Sequence, residues 1–125
     1  MALALVAALA AGRWMEPSPT GTGTHTQIGL APCGMLIATG HPCPTCGVTT
    51  SFALAAHGRL GESLVNQPFG LLVFLMTVGG LAVTVVTLVT GRSWGPSLTP
   101  GRLIGAVLAL LLAASAAWAY KWHAM

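Results

Sequence analysis

Twenty-three consecutive residues, Pro68 to Thr90, carry no charge: PFGLLVFLMTVGGLAVTVVTLVT. Coiled as an α-helix the run is about 34 Å long, enough to cross a hydrocarbon core of about 30 Å with some tilt. Pro68 suits the first helical turn, where its missing N–H costs nothing. A second run, Leu103 to Trp122, is rich in Ala and Leu and ends in Trp118, Tyr120, Lys121 and Trp122, a set suited to a membrane interface. Each run has a competing explanation as the core helix of a soluble domain. Composition removes it: 54% of the 125 residues are hydrophobic and 6% are charged, against about 25% charged in an ordinary globular domain. Five Lys+Arg and two Asp+Glu cannot furnish a wet surface over two such helices. The mean hydropathy of +0.79 agrees. The net charge of +3 implies no nucleic-acid partner, because Arg13, Arg59, Arg92, Arg102 and Lys121 are scattered singly.

The remaining segments are shorter. Residues 2–15 form an apolar stretch of about 22 Å, read as a short first helix that partner subunits or the interface must cover. No positive segment precedes it, which argues against a cleaved signal. Residues 16–46 read as a connector containing the cysteines. Its first part, EPSPTGTGTHTQIGLAP, is dominated by Pro, Gly and Thr, and no regular element is expected there. Residues 47–67 read as a short helical hairpin, re-entrant or interfacial. Thr49, Thr50 or Ser51 supplies capping oxygens for its first helix, and His57-Gly58 ends it. Helices at 68–90 and 102–121 complete an all-α membrane protein of about three transmembrane helices in one domain. The positive-inside rule gives equal counts on the two sides; the tight loop with Arg92 and Arg102 is placed in the cytoplasm and the cysteines outside.

Chemistry concentrates in one place. Cys33, Cys43 and Cys46 are the three cysteines, and the last two form His41-Pro42-Cys43-Pro44-Thr45-Cys46-Gly47. Gly47 directly after Cys46 excludes covalent haem, which needs His there. A Cys-x-x-Cys turn offers half a tetrahedral thiolate site, with Cys33 and either His41 or His57 to complete it, and such a set favours zinc. The same pair can act as a redox dithiol, with Cys43 just before a helix N-terminus that lowers a thiol pKa. It can also be a stable disulfide, or the cysteines can be small buried hydrophobes. All four readings stay open.

From Cys33 to Pro68 the chain resembles a family of small bacterial membrane proteins, domain of unknown function 2752. Cys33, Thr39-Gly40, the CPTCGVTT run from Cys43 to Thr50, His57-Gly58 and Asn66-Gln67-Pro68 carry the resemblance, in that order. Thr50 stands where relatives have Arg, and Gln67 separates Asn66 from Pro68. The resemblance implies a three-cysteine set with His57, rather than His41, as the nearby partner. It implies no reaction.

Small residues recur four apart in the last helix, at Gly101, Gly105, Ala109 and Ala113, continuing to Ala117. Such a seam lets helix backbones approach closely. Gly79-Gly80 offers a second contact point in the middle helix. Nothing ionisable lies inside 68–90, and the two acids, Glu16 and Glu62, sit in connectors, so no catalytic residue is assigned. The sequence therefore reads as a non-enzymatic, multi-pass protein of the bacterial inner membrane. Its expected partners are lipids and the larger subunits of a respiratory, photosynthetic or secretion assembly. A membrane thiol-disulfide oxidoreductase and a zinc module are the alternatives.

Overall fold

The computed structural model describes residues 2–17, 19, 24–29, 31, 34–41, 47–92, 95, 97 and 99–124. Every regular element among them is helical. In chain order these are α1 (Ala2–Trp14), a 3-10 turn (Thr24–Ile28), α2 (Gly34–Thr39), α3 (Val48–Ala56), α4 (Leu60–Asn66), α5 (Pro68–Thr90) and α6 (Pro100–Ala124). The α5 bounds are those expected. The last helix is longer than 102–121, because Pro100 opens it and Thr99 O already accepts the Leu103 N–H at 2.9 Å.

Among the described residues, two helices rather than three are long and apolar enough to cross a membrane: α5 and α6. The first helix has 13 residues, about 20 Å, which falls short of a hydrocarbon core. It stops where Gly12 meets the Phe52 ring and Met15 is buried.

The connector is more regular than its composition suggests. Gln27 clasps the Glu16 backbone from both sides: the Glu16 N–H donates to Oε1 at 3.0 Å, and Nε2 donates to the Glu16 carbonyl at 2.6 Å. Gln27 belongs to the 3-10 turn, so the clasp ties that turn to Glu16. In α2, Thr39 Oγ1 returns a bond to Met35 O at 2.7 Å and accepts the His41 N–H at 3.3 Å. Gly40, at φ 73°, ends α2 in the left-handed region that a side chain would strain.

The hairpin is formed by α3 and α4. Its first cap differs from expectation: Gly47 stands at the α3 N-cap with φ 84° and no side chain caps the helix. Thr50 and Ser51 are instead turned inward and fully buried. Helix α3 sits at the centre, against α1, α4 and α5. A Cβ built on Gly70 of α5 would lie 2.5 Å from Ser51 Cβ and 2.8 Å from Val48 O, so only glycine permits this crossing. Phe52 packs edge-on to Phe74 at 5.4 Å. The Gly79-Gly80 point is weaker: a Cβ built on Gly80 would lie 3.7 Å from Leu5 Cδ1, and one built on Gly79 would meet nothing within 4 Å among the described residues.

Burial is inverted relative to a water-soluble core. The largest fully buried side chains are Gln67, Thr24, Thr50, Ser51 and Ser63, while Leu75, Val85, Leu108 and Leu112 are exposed. Apolar side chains gain nothing by hiding from lipid, whereas polar groups there must pair inside the protein.

Candidate functional site

The inward polar groups form a connected cluster. Ser51 Oγ donates to Ser63 O at 3.2 Å and Ser63 Oγ donates to Ser51 O at 2.7 Å, a reciprocal clasp between α3 and α4. Asn66, the last residue of α4, is its hub. Asn66 Nδ2 donates to Ser51 Oγ at 2.9 Å and to Gly47 O at 3.2 Å, and Asn66 Oδ1 accepts Lys121 Nζ at 2.7 Å. Next door, Tyr120 Oη donates to Val65 O at 2.7 Å. The end of α6 is thereby fastened to the hairpin. Thr24 and Thr50 share a hydroxyl bond of 2.6 Å under α3. Neutral bonds of this kind contribute about 0.5–1.5 kcal/mol each, and those to a charged group about 1.5–3 kcal/mol.

Gln67 follows Asn66 and is fully buried, yet neither Oε1 nor Nε2 has a hydrogen-bond partner among the described residues. Its backbone is extended (φ −159°, ψ 101°), and its side chain does not cap α5. Away from the cluster, Arg59 and Glu62 pair on the exposed hairpin tip. The hydrogen bond to Glu62 raises the Arg59 pKa further above an already high value, so its charge is constant at any working pH.

Cys33, Cys43 and Cys46 lie outside the described residues. His57 is described and sits at the C-terminal end of α3, its Nδ1 2.7 Å from Ala53 O. Gly47, bonded to Cys46, caps the other end, so about 15 Å of helix axis separates His57 from Gly47. Among the described residues no three metal-ligating side chains gather. The small-residue seam is divided. Ala113 and Ala117 face Pro68, Phe69 and Leu72 of α5 across an apolar cavity of about 300 Å³, while a Cβ built on Gly101 or Gly105 would meet nothing within 4 Å among the described residues.

The aromatic end of α6, expected from sequence as an interfacial belt, also makes contacts within the protein. Lys121 is buried at 5% exposure on Asn66, Tyr120 holds Val65, and Trp122 stacks on His41 at 4.0 Å with rings 8° from parallel. Trp118 meets Trp122 edge-on at 5.7 Å. Sequence reasoning missed Ser51, Ser63, Asn66, Gln67 and Lys121 as a cluster. The available signals were hydroxyls within an Ala-rich helix and a polar pair immediately before a span.

Chemically, the described cluster offers one ammonium, two amides and several hydroxyls beside the residue that follows Cys46. It contains no carboxylate and no nucleophile–base pair among the described residues. It can hold and orient backbone, and it can place a positive charge near a polar loop.

The class so defined is a small helical protein with two helices of membrane-spanning length and a polar-cored hairpin before the first of them. The model of a family described as a protein of unknown function, DUF2752, matches residues 33–81, which span the cysteine motif, the hairpin and the first part of α5, up to residue 81. This is the family that the ordered motif resembles. No curated protein and no solved structure matches the chain.

Proposed function

We propose that this protein is a small multi-pass subunit of a larger complex in the bacterial inner membrane, structural or accessory in role. The observation that carries the reading is the state of α6. Of its described side chains, only Ala117 and Lys121 are buried, and a Cβ at Gly101 or Gly105 would meet nothing within 4 Å. A seam of small residues favours close helix approach, and lipid gives no hydrophobic drive to helix association. Its unused half, Gly101 to Ala109, therefore fits a helix of another subunit, in an assembly of respiratory, photosynthetic or secretion type. The test is co-purification in mild detergent. Wild type is expected to bring down larger subunits, and Gly105→Leu to insert normally but run alone. If wild type also runs alone, the reading fails.

A second reading, thiol-disulfide chemistry or zinc binding at Cys43 and Cys46, is favoured by the polar cluster lying at Gly47, next to Cys46 in the chain. Replacing both cysteines by Ser, with zinc analysis and thiol titration of the purified protein, separates the two forms of this reading.

A further inference from the structure

We propose that the α3–α4 hairpin is re-entrant: it enters the hydrocarbon beside α5 and returns to the same side, holding the Arg59–Glu62 ion pair beneath the membrane surface and resting Leu60 and Leu64 against lipid acyl chains. The inference does not rest on the subunit reading. Three glycine contacts fix the direction of the hairpin. A Cβ on Gly70 would meet Val48 and Ser51, so the first turn of α3 crosses α5 there. A Cβ on Gly12 would meet the Phe52 ring and Ala56, and one on Gly80 would lie 3.7 Å from Leu5 Cδ1, so α1 links the second half of α3 to the middle of α5. Gly80 lies about 15 Å along α5 from Gly70, and Leu5 lies about 10 Å along α1 from Gly12. Were α3 to run against α5, Ala56 would fall about 7 Å behind Gly70, leaving about 22 Å for that stretch of α1 to span. A hairpin that advances with α5 closes the gap. Phe52, edge-on to Phe74 at 5.4 Å, agrees, because Phe74 lies one turn beyond Gly70. The turn at His57–Arg59 therefore stands about 10 Å along α5 from Pro68, while α5, at about 34 Å, has only about 4 Å to spare over the hydrocarbon core.

The hairpin is equipped for that depth. Backbone groups in hydrocarbon must be met within the protein. At the turn, the His57, Gly58 and Arg59 N–H groups donate to the Ala53, Ala55 and Leu54 carbonyls at 3.0, 3.0 and 2.9 Å, and His57 Nδ1 lies 2.7 Å from Ala53 O. Thr50, Ser51 and Ser63 are buried, whereas Leu60 and Leu64, four apart on one face of α4, are exposed. In water that arrangement would leave the apolar face of the hairpin wet; against acyl chains it costs nothing. Arg59 and Glu62 are tied by two bonds, Nε donating to Oε1 at 3.0 Å and Nη2 to Oε2. Charges inside a membrane pair with one another, and this pair carries its own counter-charge to the tip.

Nitroxides attached through a ketone-bearing residue test the placement and leave the cysteines untouched. The full-length protein is labelled singly at Leu60, Leu64, Leu75 or Ser97 and reconstituted in phosphatidylcholine–phosphatidylglycerol vesicles. Collision with oxygen reports lipid, and collision with a nickel chelate reports water. Labels at Leu60 and Leu64 are expected to match the one at Leu75, which is exposed on α5: frequent collision with oxygen, and several-fold less with nickel than at Ser97 in the α5–α6 loop. Nickel access equal to that at Ser97 would put the hairpin on the surface and overturn the proposal. Protection from both reagents would overturn it too, because it marks a protein neighbour in place of lipid. The ion pair has its own readout. In the same vesicles Glu62→Met is expected to melt several degrees below wild type, because Arg59 cannot shed its charge, and Arg59→Met less far below, because a lone carboxyl can take up a proton. The double variant is expected to recover wild-type melting. If all three melt within about a degree of wild type, as variants of a wet surface pair do, the pair does not lie beneath the surface.

Discussion

Lys121 Nζ lies 2.7 Å from Asn66 Oδ1, a charged bond between residues 55 positions apart. Asn66 ends the hairpin and Lys121 belongs to the last turns of α6, so this contact closes the chain on itself. It also buries Lys121, which is 5% exposed.

Asn66→Ala deletes three bonds at once: those to Lys121, Gly47 and Ser51. We expect a loss of about 1–3 kcal/mol, because hydrogen bonds inside membrane bundles contribute less than their buried geometry suggests. Asn66→Asp keeps an acceptor for Lys121 but loses the Nδ2 donor, so it should fall between wild type and Ala. Thermal unfolding in a single detergent gives the order. An Asn66→Ala protein that melts with wild type removes the hub role.

Two glycines of α5 should respond in opposite directions. At Gly70 an added methyl meets Ser51 Cβ at 2.5 Å and the Val48 backbone at 2.8 and 3.2 Å. Backbone cannot swing aside as a flexible side chain does, so Gly70→Ala should cost about 1–3 kcal/mol. At Gly79 nothing lies within 4 Å, and Gly79→Ala should gain up to about 1 kcal/mol of helix propensity. Equal melting shifts for the two variants would contradict the α3–α5 crossing.

The paired serines should be unequal. Ser63 Oγ makes one bond, to Ser51 O. Ser51 Oγ makes two, donating to Ser63 O and accepting Asn66 Nδ2. Ser63→Ala is expected to cost about 1 kcal/mol and Ser51→Ala about 2 kcal/mol. In the Asn66→Ala background the excess for Ser51 should vanish, which a double-mutant cycle measures directly.

What the sequence made legible divides along physical lines. The α5 bounds were readable because twenty-three charge-free residues suit a span in lipid and Pro68 marks their start; Gly91 ends the helix in the structure, at φ 68°. The hairpin was readable from His57-Gly58, where Gly58 adopts φ 80°. The inward turn of Thr50 and Ser51 was not, because a hydroxyl at the start of a helix equally well describes a cap. The Lys121 bond was hidden for a related reason: a Lys flanked by Trp and Tyr at a helix end suits an interface, and only tertiary packing brings it to Asn66. Gly70 gave no signal of its own, since its requirement comes entirely from Val48 and Ser51 across the crossing. The α2 helix and the 3-10 turn were hidden by composition, their support coming from Gln27 and Thr39 bonds that no propensity encodes.

Gln67 yields the most exposed prediction. It is fully buried, and both Oε1 and Nε2 lack a partner among the described residues, an arrangement that costs about 1–3 kcal/mol for each unmet group. Leu is close to Gln in volume and carries no polar atom. Gln67→Leu should therefore raise the melting temperature, with a gain of about 1–3 kcal/mol, while the backbone bonds from Gln67 to Ser63 and Gly70 are kept. Gln67→Glu provides the opposite control: it places an ionisable group in the same unpaired site and should destabilise. A stabilised Leu variant means that the Gln67 amide is a cost borne by the fold. A Gln67→Leu protein that melts lower than wild type would mean that the amide meets a partner in the working protein, and Gln67 would join Asn66 and Lys121 as a residue to be mapped by cross-linking in the native membrane.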